Sequence, residues 1–209
     1  MTISQVQEET TFRYTSQLVD ETATNLTKAS LEALTLEVYE QRGETRLRTA
    51  RDAYDANDVT IASGGSILWL GQLEDTRIVN TSSRIGSPET HVALFQFAWD
   101  VSLFGTLTNP ASATSGSNIV TITATAHGIT DDANEDHVFL VADNTVGGLN
   151  LNGGWKVNSI VDVDTFTILH KCNATSTEAT AGGTVKLWIN PRIGIHTVNF
   201  SVIKVKPAC

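Results

Sequence analysis

At 209 residues, with 41% hydrophobic and 18% charged residues, the chain has enough apolar material for at least one core, which excludes a disordered polymer. Its formal charge of −9, from 14 Lys plus Arg against 23 Asp plus Glu, repels phosphate backbones and excludes sequence-independent nucleic-acid binding. Met1 to Thr11 has no leader pattern, no run approaches the roughly 18 apolar residues of a membrane span, and Cys172 and Cys209 cannot build a disulfide framework. The expected setting is therefore a reducing cytoplasm, without export or a membrane.

Along the chain, Ala23 to Ala33 and Arg51 to Asp58 have mildly helical composition without a sustained apolar stripe, so each is expected to hold at most a turn or two of helix. From Leu34 the apolar period is two: Leu34, Leu36 and Val38 share one face of a strand, and Gln41 to Glu44 turns it into a second arm at Thr45 to Thr49. Val59 to Ala62 and Ser66 to Leu70 flank Ser63-Gly64-Gly65 as a second hairpin. His91 to Trp99 is the most apolar strand and is expected to be central and covered on both faces. Its expected antiparallel neighbour is His196 to Val205, with a β-bulge near Val202 or Ile203, where the apolar phase slips.

That pairing makes Asn109 to Leu187 an insertion, bordered by the linker-like Thr108 to Ser117 and by Ala181-Gly182-Gly183. Inside it, Ile119 to Ala124, Val138 to Ala142, Trp155 to Val157, Phe166 to Leu169 and Thr184 to Leu187 read as short strands of a small sandwich or barrel. The expected fold class is all-β: an immunoglobulin-like β-sandwich from residues 1–108 plus 188–209, with a small β domain, residues 109–187, inserted before its last strand.

Four separated motifs in order carry a resemblance: Asn118 to Gly128, Gly148 to Val157, Val163 to Ile168 and Gly182 to Val185. Together they are similar to a repeat of phage tail and particle proteins, the small barrel called FCCH-like, over about a third of the chain. The sequence departs from that pattern at Asp131 to Asp136. The flanking Leu34 to Tyr39, Ala56 to Ile61, Trp69, Glu89 to Phe95 and His196 to Val198 resemble immunoglobulin-like virion proteins of tailed phages.

Those resemblances imply a structural virion protein, a capsid decoration or cement protein in the first place, with a tail, neck or baseplate component or a glycan-binding adhesion module as alternatives. They imply other virion proteins and further copies of the chain as partners, the virion as location, and no cofactor, catalytic residue, nucleic acid or membrane.

Histidines 91, 127, 137, 170 and 196 lie apart, in no HExxH pattern, and no serine occupies a GxSxG elbow. His91 and His196 are read as surface histidines that could meet at the paired strand ends, and His127 as half covered. The acidic loop Asp131 to Asp136 lacks calcium-loop spacing and reads as solvated. The triplets at Asn25, Asn80 and Asn173 match a glycosylation acceptor by accident. Trp69, Trp99 and Trp155 read as core, which leaves Trp188 as a candidate platform for a partner or glycan. The acid-free segment after it adds Arg192, Lys204 and Lys206 as candidate contacts to an acidic partner.

Overall fold

A computed structural model describes residues 2–8, 10–42, 44–54, 56–80, 86–130 and 136–204. The strands of the first half are β1 (Thr2–Gln7), β2 (Phe12–Gln17), β3 (Leu31–Glu40), β4 (Arg46–Asp52), β5 (Val59–Ile61), β6 (Ser66–Gly71) and β7 (Pro88–Trp99). Then follow β8 (Gly105–Thr108), β9 (Ala111–Ala113), β10 (Ile119–Thr123), β11 (His137–Ala142), β12 (Gly153–Asp162), β13 (Thr165–Leu169), β14 (Glu178–Ala181), β15 (Thr184–Ile189) and β16 (Arg192–Ile203). Among the described residues the helical structure is one 3-10 turn, Leu73–Thr76. Within 23–33 and 51–58, where at most a turn or two of helix is expected, the described residues hold none: β3 already begins at Leu31, and the Asp20 carboxylate takes the Thr22 and Thr24 N–H groups into a tight turn.

Two sheets build the first compact unit, Met1–Ser30, Leu36–Gln96 and Gly194–Cys209. Their strand orders are β1-β16-β7-β3-β4 and β2-β6-β5. In chain order these are the G-F-C-C′ and B-E-D arrangements of the immunoglobulin sandwich, with β1 added in parallel beside β16. The most apolar strand, β7, is central, and β16 is its neighbour. Alternation explains the core: Leu36 and Val38 of β3 are at most 1% exposed, as are Ala93 and Phe95 of β7. Trp69 of β6 joins the two sheets, its ring edge-on to Phe12 at 4.8 Å, Phe95 at 5.7 Å and Phe200 at 5.8 Å. The β1–β16 pair has a bulge of its own: Ile3 to Val6 of β1 faces Phe200 to Val202 of β16, so the extra residue is on β1, while Val205, on which the expected phase slip of β16 rests, lies outside the described residues.

The second compact unit is Leu31–Thr35 with Phe97–Ile193. Its edges thus differ from the expected 109 and 187, because Ala33 and Ala98 are buried with Phe139, Val141 and Trp188. Its sheet runs β14-β9-β10-β13-β12-β11-β15-β8 and is nearly closed. β9 pairs with β14 while β8 pairs with β15, so β8–β9 and β14–β15 act as two bent staves that face each other. Their bends lock together: Asn109 N–H donates to Gly183 O at 2.7 Å, and Gly183 N–H to Asn109 Oδ1 at 3.0 Å. Positive φ at Asn109 (47°), Gly182 (102°) and Gly183 (66°) makes these corners. The segment read as a linker, Thr108 to Ser117, therefore contains a paired strand. Val120, Ile122, Val138, Leu140, Phe166, Ile168, Val185 and Leu187 fill the barrel, each 0% exposed.

Candidate functional site

Trp188 and Arg192 belong to the second unit and Lys204 to the first, while Lys206 lies outside the described residues. Trp188 is corrected from platform to core: it is 4% exposed, edge-on to Phe139 at 6.2 Å, with its Nε1 turned inward and unpartnered. The cause is that β11 and β15 are covered on both faces. Val138 and Leu140 enter the barrel while Phe139 and Val141 join Trp188 on the other side. Arg192 is exposed and pairs with Asp100 at 3.1 Å, a contact of little energetic weight in water. Lys204 is half-buried and its carbonyl accepts Gly86 N–H at 2.9 Å.

Of the acidic loop, 131–135 lies outside the described residues; Asp136 accepts Thr130 N–H at 3.1 Å and Asn190 Nδ2 at 2.7 Å. No group of three His, Cys, Asp or Glu side chains that could hold a metal occurs among the described residues.

His91, His127 and His170 are buried structural anchors rather than surface groups. His127, 4% exposed, accepts Ile129 N–H on Nδ1 at 3.0 Å and donates from Nε2 to Asp162 O at 3.0 Å. His170 repeats this motif, accepting Cys172 N–H at 2.9 Å and donating to Asn150 O at 3.2 Å, with Trp155 stacked 5.1 Å away. Both rings thus have both nitrogens bound to backbone, which fixes one tautomer. His91 and His196 have separate partners. His196 Nε2 shares a 2.9 Å hydrogen bond with the Tyr14 hydroxyl, and burial holds its pKa below the ordinary value, with a smaller push from the N-terminal charge.

His91 belongs to a buried network that sequence reasoning missed. The signal was available in its phase, since His91 shares its inward face with Ala93 and Phe95. The Asp75 carbonyl can only accept, so His91 Nδ1, 2.7 Å away, carries a hydrogen; Nε2 and Glu89 Oε1, also 2.7 Å apart, share a further proton. Glu89 also accepts Val79 N–H and Asn80 N–H, each at 2.9 Å. Burial pushes the Glu89 carboxyl up, but these two N–H donors and His91 outweigh it and hold it below its ordinary pKa.

On the other side of the 3-10 turn, Asp75 is 0% exposed, accepts Gln72 N–H at 2.7 Å and faces Arg48 NH1 at 3.1 Å. Its burial outweighs those donors and leaves its carboxyl above the usual range. Arg48 and Arg51 share Asp58, at 3.0 and 2.7 Å. The arrangement fastens residues 72–80 to β4 and β7. A cavity of about 640 Å³ opens beside it, lined by Glu40, Arg42, Asn80 and Glu89 among others. Its carboxylates are engaged by backbone, Glu40 Oε1 taking Arg42 N–H at 2.7 Å.

No family model matches the chain, and no curated protein matches it. Among solved structures it is similar to the phage phi92 endosialidase, at 16% identity and a TM-score of 0.37, over 88% of this chain. The chain spans 31% of that protein's length. No helix among the described residues is long and apolar enough to cross a membrane.

Proposed function

We propose that the chain is a structural component of a tailed-phage particle: a capsid decoration protein whose immunoglobulin-like unit docks on the shell and whose inserted barrel presents a second surface, with other virion proteins and further copies of itself as partners. The observation that carries this reading is the connection between β7 and β16. These strands are neighbours in one sheet, yet eight strands with a core of their own intervene. A closed module placed in one connection adds a binding face without disturbing the sheet that hosts it, which suits a protein that bridges neighbours. The polar interior agrees, because His91, His127 and His170 are engaged in holding backbone. The motif resemblances of both units to virion proteins supply the particle.

The test is to count copies of the chain in purified particles by quantitative mass spectrometry. Abundance near that of the major shell protein, with loss of heat resistance in particles lacking the chain, is the expected result. A handful of copies would replace decoration by a tail or neck position. Absence from particles would overturn the reading.

A further inference from the structure

The outer face of the barrel over β9, β10, β13 and β12 differs from the rest of an acidic chain. β9, β10 and β13 carry no charged residue. Strand register places Ser112 beside Thr121, Thr121 beside Thr167, and Thr167 beside Ser159, a row of four hydroxyl side chains across four strands. On one side of that row lies the exposed apolar pair Ile119 and Leu169, 42% and 52% exposed; on the other lies Thr123 beside Thr165. The Thr167 hydroxyl, 7% exposed, is already bound to Ser159 Oγ at 2.7 Å, so this pair of oxygens is satisfied within the chain and loses little when water leaves the face.

The charged residues of β12 are Lys156 and Asp162. Val157 points into the barrel opposite Ile168, so the preceding residue, Lys156, faces outward at the level of Leu169. Asp162 pairs with Thr165 at the other end, and both charged residues are exposed. A two-fold axis in the plane of the face, perpendicular to the strands and crossing β12 near Ser159, reverses the strand. It lays Lys156 of each copy over Asp162 of the other, and Ile119 and Leu169 over the methyls of Thr123 and Thr165.

From this geometry we propose that the face is a homotypic interface whose occupant is a second copy of this chain. The chain's net charge of −9 opposes self-contact elsewhere, whereas this face is self-complementary. Four strands about 4.8 Å apart and five residues long give on the order of 300 Å², well short of the roughly 800 Å² per partner of a stable pair. The contact is therefore weak in solution and strengthened where copies are held side by side. The proposal deepens the self-association in the particle reading and rests on it only there. Its test uses the isolated full chain, so either can fail without the other.

Sedimentation equilibrium from about 10 µM to about 1 mM decides it. The expected result is a monomer at the dilute end and reversible dimer at the concentrated end. Lys156→Asp sets like charges opposite each other twice and raises the dissociation constant at least about tenfold. Adding Asp162→Lys to that variant reverses both pairs and restores dimerisation to within about threefold. Because Asp162 also accepts Asp164 N–H at 2.9 Å in its hairpin, Thr121→Lys in the middle of the face is the independent arm, with abolished dimerisation expected. Circular dichroism and melting confirm the fold of each variant. A monomer at every concentration, or a dimer indifferent to Lys156→Asp and Thr121→Lys, would overturn the proposal.

Discussion

In the sandwich unit Asp75, Glu89 and His91 lie buried together with Arg48 at their rim, whereas the buried polar groups of the barrel are His127, Thr167 and His170. No carboxylate is buried in the barrel among the described residues. The sandwich holds a loop, residues 72–80, by pairing charges inside; the barrel holds its loops by neutral rings whose two nitrogens each meet backbone. The difference predicts how each unit fails. Removing one member of a charged set strands the others in low dielectric, while removing a neutral anchor loses about one hydrogen bond and some packing.

The comparison is broken most directly by Asp75→Ala, which leaves the Gln72 N–H without its acceptor and Arg48 with Asp58 alone, and is expected to cost about 3–5 kcal/mol. Urea unfolding followed by hydrogen exchange should show β4 to β6 losing protection while β10 and β13 keep theirs. Equal loss in both units would mean that they do not unfold separately. Phe166→Ala, at a residue 0% exposed in the barrel, should do the reverse at about 3–5 kcal/mol.

A smaller effect separates charge from shape. Glu89→Gln turns an amide toward two backbone N–H groups and should cost about 1–3 kcal/mol. It should also flatten the acid limb of stability. The Glu89 carboxyl is held below its ordinary 4.5, so its contribution is complete above that value and is lost as pH falls through the lower folded value. His127→Gln is expected to cost about 1–2 kcal/mol.

The smallest effect belongs to His196. Its folded pKa lies below 6.5, so its contribution is present above 6.5 and fades as pH falls through the lower folded value. Thermal melts at pH 7.5 and 5.5 should differ less in Tyr14→Phe and His196→Gln than in the native chain; an unchanged difference would remove His196 from the account.

Much of the sheet structure was readable from alternation. β3, β5, β6, β7 and β10 bury every second side chain over several residues, and their turns carry glycine or polar residues. β1 and β2 escaped, because Phe12-Arg13-Tyr14-Thr15-Ser16-Gln17 alternates only through its two rings. β9 escaped for a steric reason. Where bent staves close a narrow barrel the inward residues are Ala111 and Ala113, and Ala-Ser-Ala resembles a linker until its partner is known. The candidate contacts fared less well, since exposure depends on what covers the second face of a strand. Nothing local to Trp188 announces Phe139, some fifty residues earlier, as its neighbour.

The first strand has a consequence for how the chain is made. Among the described residues β1 pairs with β16 alone, and in parallel, so its hydrogen-bonding groups wait for their counterpart until β16 is made. The barrel, whose strands all lie between β7 and β16, can fold during that interval, but the sheet that hosts it cannot seal. Ribosome stalling or truncation before residue 192 should thus yield a barrel with native protection beside an unsealed sheet, open to strand exchange with another nascent chain.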